Sequence, residues 1–302
     1  MGVRIAMMDG MVRMRVWTAL VLAVTIGWGA ALSQQSPETA TDAEVITASL
    51  LVGKRLFLRG FYLNNDLTYD AAGRVQGAPK VGDWTVAAVN VLKAERRGAD
   101  EIELDGVRVA IRYNPDAHEF QRHALNDEKM RLVVKGLAVK EPTNAKQLEA
   151  AFAAMFSVGI DPALQRSMPD YWRHYFDPAL PWPEDGLQGQ TIYALYGAVG
   201  QGAGDQGKDV AAPKVEHRVD AKYGDFAVRD KVQGAIQLRL VVDSAGAPLR
   251  IAISKPLGYG LDAAAVEAMR RWRFSPGTHG GEPVATAVAV EQEFKLMSAP
   301  QR

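Results

Sequence analysis

From Pro213 onward, apolar residues recur at the spacing of two that marks half-buried strands, interrupted by one stretch at helical spacing. Ala235–Asp243 (AIQLRLVVD) places Ile236, Leu238, Leu240 and Val242 on one face and Gln237 and Arg239 on the other. Asp243-Ser244-Ala245-Gly246 predicts a turn, after which Leu249, Ile251 and Ile253 alternate on a returning strand with Arg250 between them. So short a connection pairs the two strands antiparallel. Tyr223 to Lys231 fits a short helix halted by Gly234, and Asp262 starts a longer one as an N-cap, with Leu261 and Val266 placed as a hydrophobic staple. Leu261, Ala265, Ala268, Met269 and Trp272 form its buried stripe; Pro276-Gly277 stops the chain after Phe274. A last strand, Ala285 to Leu296, turns Val288, Val290, Phe294 and Leu296 to the core, with Gln292 as the polar exception on that face. Helix–strand–strand–helix–strand predicts an α+β unit: a three-stranded antiparallel sheet with helices on one face.

Upstream, residues 45–140 read as a mostly antiparallel β domain, a small barrel or sandwich. Strands are expected at Arg55–Phe61, Leu67–Val75 (reversing through Asp70–Gly73), Trp84–Leu92 and Met130–Val134. Between Glu101–Leu104 and Val107–Tyr113 the pair Asp105-Gly106 predicts a two-residue hairpin turn, since Asp-Gly supplies the positive φ angles of a primed turn. Residues 141–185 form a small helical segment rich in proline and aromatics. Leu148, Phe152 and Met155 fall at helical spacing there, and Tyr171–Phe176 is an aromatic run suited to packing or to stacking on a glycan. Thr191–Tyr196 reads as a strand inside a Gly-rich linker, 186–212.

At the amino terminus Arg13 and Arg15 precede the apolar run Val16–Leu32, small residues and then polar Ser33–Ser36. This fits a signal peptide over residues 1–33, cleaved near Ala31 or Ser33. An uncleaved inner-membrane anchor is the other reading, the run being at the short end of what spans about 30 Å of hydrocarbon. Either way the remainder is expected in the periplasm, as a released protein or as the periplasmic domain of a single-pass one.

Composition narrows the chemistry. In 302 residues, 35 Lys+Arg balance 35 Asp+Glu, so there is no basic excess to displace counterions from nucleic acid. The absence of Cys excludes thiolate metal sites, disulfides and a cysteine nucleophile. His118 and His123 fall on different faces of a helix or strand, and His174, His217 and His279 are scattered, so no metal set emerges. Gly202-Ala203-Gly204-Asp205-Gln206-Gly207 matches G-x-G-x-x-G, but Pro213 denies it the following helix, and Asp209 replaces the hydroxyl of a P-loop. No G-x-S-x-G elbow is present. The expectation is a non-enzymatic protein without cofactor or metal.

Residues 213–297 resemble the TonB carboxy-terminal domain family. The resemblance rests on Gly234-Ala235-Ile236, Val242-Asp243-Ser244-Ala245-Gly246, Leu261-Asp262-Ala263-Ala264, Trp272-Arg273-Phe274-Ser275-Pro276 and Gly281-Glu282-Pro283-Val284, in order and at the family's spacing. Gly224 departs from it, standing where a Pro usually follows the Tyr of the first helix. The resemblance implies a periplasmic binding protein serving TonB-dependent transport across the cell envelope. Its last strand would take up the TonB-box segment of outer-membrane receptors by β-strand addition. Glu291, Gln292, Glu293 and Lys295 are then expected to line the docking surface, with Tyr223 and Lys222 near it. Charges along an edge also serve to repel unwanted strands. A complete energy transducer would further need an anchor carrying a His that couples to ExbB–ExbD, and a Pro-rich spacer. Val16–Leu32 has no His, and a β-rich segment stands where the spacer would be. Self-association as a homodimer through the same edge, or glycan binding by the β-rich half, is the alternative.

Overall fold

Alternating burial along the upstream half builds one sheet. The computed structural model describes residues 47–98, 100–137, 144–195 and 209–296. Strands β1 (Arg55–Leu58), β2 (Asp66–Tyr69), β3 (Ala88–Arg96), β4 (Glu101–Asn114), β5 (Glu119–Lys135) and β6 (Phe156–Ser157) lie in the order β2-β5-β4-β3-β1-β6. All neighbours are antiparallel except β2 and β5. The sheet is thus an open, mixed one, not the barrel or sandwich that its alternation suggested.

Two local expectations fail for identifiable reasons. Asp105-Gly106 is no turn: β4 runs through it unbroken. Glycine is needed there for close approach, because a Cβ on Gly106 would lie 2.4 Å from the Asn90 carbonyl oxygen. Opposite it β3 carries a bulge, with an extra residue between Val91 and Lys93. The chain reverses instead between Asn114 and Glu119, where Asn114 Oδ1 accepts the N–H groups of Asp116 and Ala117 and His118 takes a φ of 51°. Trp84–Val86, expected in a strand, is a 3-10 turn capped by Asp83, whose carboxylate accepts from Thr85 N at 2.8 Å.

Helix α1 (Asn144–Met155) covers one sheet face, adding Leu148, Phe152 and Met155 to Leu56, Leu58, Val91, Leu104 and Leu132. Against the other face lie α2 (Pro162–Ser167) and α3 (Asp170–Phe176). The aromatic run is core packing: Trp84 meets Phe120 and Trp172 edge-on at 5.0 and 5.1 Å.

The downstream half comprises β7 (Tyr193–Ala194), β8 (Val210–Ala211), β9 (Lys214–His217), α4 (Asp225–Arg229), β10 (Gly234–Val242), β11 (Pro248–Lys255), α5 (Leu261–Arg270), β12 (Arg273–Ser275), β13 (Gly277–His279), β14 (Glu282–Val284) and β15 (Thr286–Phe294). Its main sheet has the order β11-β10-β15-β7, four strands where three were expected; the fourth is the short β7, parallel to the start of β15. The pairs β12–β9 and β14–β13–β8 form two smaller sheets. Leu249 leaves the face of Ile251 and Ile253, packing with Leu187 and Val241 while they join the main core. The cause is one extra residue in β11 between Leu249 and Ala252, where Arg250 takes a φ of 48°. Asp262 is not the N-cap; Gly260 is, and the Asp262 carboxylate reaches back to Leu257 N and Gly258 N at 2.9 and 2.7 Å. The apolar run Val16–Leu32 and the centre of the Gly-rich linker, 196–208, lie outside the described residues.

One apolar core joins the two halves: Phe57, Val109 and Ile111 from the upstream sheet, and Ile236, Leu238, Val266 and Trp272 from downstream. The loop before α5 docks on β4 by backbone hydrogen bonds, Tyr259 N to Ile111 O at 2.9 Å and Tyr113 N to Leu257 O at 3.0 Å. At this crossing Gly258 has a φ of 93°, and a Cβ on it would lie 2.1 Å from Ile111 O. Gly258→Ala is therefore expected to lower unfolding free energy by about 2–4 kcal/mol. A urea titration followed by tryptophan fluorescence checks this, and a midpoint equal to the wild type's would refute it.

Candidate partner-docking edge

The last strand is positioned along its whole length by its neighbour. All nine residues of β15 pair with β10, from Thr286↔Val242 to Phe294↔Gly234. Beyond the ladder lies the outer rim. Tyr193 N donates to Ala285 O at 2.9 Å and Leu195 N to Ala287 O at 3.2 Å. Backbone groups of successive strand residues point to opposite sides, so the rim continues with the N–H and C=O groups of Ala289, Glu291 and Glu293. Among the described residues, no strand lies against these three on the side away from β10.

Side chains alternate through the sheet as the backbone alternates in its plane. Glu291 and Glu293 are exposed on the face away from α5, and Lys295, exposed just past the strand, pairs with Glu293 at 2.6 Å. Gln292 is placed differently from the expectation: it is 3% exposed, among the core-side residues, and its amide oxygen has no partner among the described residues. Tyr223 stands at the far end of the strand, its ring edge-on to Phe294 at 5.3 Å and its hydroxyl donating to Val232 O. Burial raises its pKa. Lys222 is exposed and lines a cleft of about 480 Å³ with Lys80, Phe226, Tyr259 and Glu267, between the two halves of the molecule.

The feature that sequence reasoning missed is the strap that reaches the rim. Its Ile192 and Leu187 pack on Val241 and Ala285, and its Asp185 holds Arg250 by two hydrogen bonds of 2.6 and 3.0 Å. Thr191–Tyr196 carried a strand signal, but nothing in the pattern named its neighbour.

Beneath the loop before α5 are two buried carboxylates. Asp83 accepts from Trp172 Nε1 at 2.7 Å and from Thr85, whose hydroxyl oxygen in turn accepts from Gly260 N at 2.8 Å. Burial raises the pKa of Asp83; burial and the neighbouring Asp83 charge push Asp262 up to about 8. Among the described residues no group of His, Asp or Glu could hold a metal ion, and no helix is long and apolar enough to cross a membrane.

Residues 220–296 match a family model, that of the Gram-negative bacterial TonB protein C-terminal. The chain carries a TonB carboxy-terminal domain. It is 36% identical over 81 residues to protein tonB2 of Pseudomonas aeruginosa, covering 26% of this chain and 30% of that protein. To protein TonB of Vibrio cholerae it is 30% identical over 83 residues, covering 27% and 34%. The match to protein TonB of Xanthomonas campestris is 36% over 76 residues, covering 25% and 34%. The chain thus spans about a third of the length of the curated relatives it matches. A solution structure of the Pseudomonas aeruginosa TonB CTD is similar over 30% of this chain and 91% of that one, at 22% identity and a TM-score of 0.25. Proteins of the TonB family are energy transducers, not enzymes.

The acid pair makes stability depend on pH. An unfolded Asp loses its proton near pH 4, whereas native Asp262 keeps it up to about 8. Its contribution is therefore whole below pH 4 and is lost as the pH rises towards 8. Asp262→Asn, which has no proton to lose, is expected to be less stable than wild type at pH 5. The gap should narrow by more than about 1.4 kcal/mol, the worth of one pK unit, by pH 8. Urea midpoints of both proteins at the two pH values measure it; a constant gap would contradict the shift.

Proposed function

We propose that the protein is a periplasmic binding protein of TonB-dependent transport, which takes up an extended segment of outer-membrane receptors as an added strand on the rim of β15. The observation that supports this most is the row of outward backbone groups at Ala289, Glu291 and Glu293, unpaired among the described residues. Such groups give affinity by main-chain hydrogen bonds, while flanking side chains select the segment. Glu291, Glu293 and Lys295 are the selecting side chains in this reading, with Tyr223 bounding the far end; Gln292, facing inward, supports the strand from behind. A segment pairing with the entire strand must first displace Tyr193–Leu195 from Ala285 and Ala287. Coupling to ExbB–ExbD would follow only if Val16–Leu32 is retained as an anchor.

The test is a titration of the full chain with a peptide bearing a receptor's TonB box, followed through backbone amide NMR signals. Shifts should concentrate at Ala289, Glu291 and Glu293; their absence at millimolar peptide would reject the reading. Glu291→Pro removes an outward N–H and leaves the ladder to β10 intact, so it should weaken binding by roughly tenfold. Tyr193→Pro should strengthen it by releasing the rim. Shifts that instead grow with protein concentration, without peptide, would point to a second copy as the occupant.

A further inference from the structure

Between the end of α3 and the outer face of the downstream sheet is a cavity of about 210 Å³. His174 and Trp182 line it on one side, Arg239, Val241, Arg250 and Ala252 on the other. Its charges do not balance. Arg250 is held in a two-bond pair by Asp185, but Arg239, partly buried on β10, has no carboxylate or carbonyl partner among the described residues. A guanidinium does not deprotonate in proteins, so the cavity carries an unpaired positive charge at any working pH. A partly buried charge without a counter-charge is costly to keep, unless something else supplies one.

The third polar group is His174. It is 3% exposed and stacked on Trp182 at 3.5 Å and 10°, and among the described residues neither ring nitrogen has a hydrogen-bond partner. Burial holds its pKa below the usual value; Asp170 and Asp177 nearby raise it, and Arg173 and Arg239 lower it.

Backbone strain points to the same place. Counted back from Ile253 and Ile251 in the core, alternation puts Arg250 on the outer face. The extra residue of β11, with Arg250 at a φ of 48°, turns Leu249 to that face as well, so the strained residue is itself one that lines the cavity. Bulges and strained residues of this kind gather at functional sites.

We propose that this cavity binds an oxyanion group, carboxylate or phosphate, of a small ligand between Arg239 and His174. The guanidinium of Arg239 supplies the paired donors, an imidazole N–H of His174 a further one, and Trp182, Val241 and Ala252 contact the ligand's apolar part. Ala287 of β15 also lines the cavity, but the test of this site does not rely on any strand partner.

Because the anion and the proton on His174 favour each other, each must tighten the binding of the other. The imidazole signals of His174 in the full chain are titrated with pH in chloride, in inorganic phosphate and in acetate, at equal ionic strength. We expect phosphate, acetate or both to raise the His174 pKa by on the order of one unit over chloride. A shift with one anion only supports the site and identifies its chemistry. Arg239→Gln should abolish the shift and Arg239→Lys restore part of it. Equal His174 pKa values in all three salts, or an undiminished shift in Arg239→Gln, would overturn the proposal. Should Arg239→Gln fail to fold, the wild-type salts decide alone.

Discussion

The structure depends on the crossing of the loop before α5 over β4. There two main chains approach so closely that only a glycine fits, Gly258 against the carbonyl of Ile111. Hydrogen bonds from Tyr259 and Tyr113 satisfy backbone groups that would otherwise be buried unpaired. Around this crossing the apolar faces of both halves close into one core. The TonB carboxy-terminal domain is therefore no free bead on a tether here; its helix side is seated on the upstream sheet, and its last strand is left at the margin.

Polar groups reinforce the same contact. Trp172, Asp83, Thr85 and Gly260 form a buried chain of hydrogen bonds that runs from α3 through the 3-10 turn into the loop before α5. Arg108, fully buried on β4, gathers the loop at residues 62–65 by donating to the carbonyls of Tyr62, Leu63 and Asn64 and to the side chain of Asn65. Each guanidinium donor used in this way removes a desolvation penalty that a lone buried cation would carry.

Much of this was legible in the chain. The downstream strands and helices follow from their periods because each has one wet and one dry face. Leu148, Phe152 and Met155 announced α1 for the same reason. What failed did so where tertiary contact overrides local preference. Asp105-Gly106 has the chemistry of a turn, yet β3 presses so closely on Gly106 that the strand must continue. Asp262 has the position of a cap, but the preceding loop folds back and claims its carboxylate. Leu249 was assigned to the wrong face, since a one-residue bulge is invisible to a pattern of period two. Of the edge itself, the exposed Glu291, Glu293 and Lys295 could be read from the sequence. The strap on its first residues could not, because parallel pairing between distant segments leaves no local mark.

The full-length pairing of β15 with β10 has a mechanical side. Tension applied along the axis of a strand bonded throughout its length loads the ladder in shear, so many hydrogen bonds resist together. A pull at right angles would instead open them singly, from one end. The last strand is thus built to bear a longitudinal load far better than a transverse one, whatever is attached to its rim.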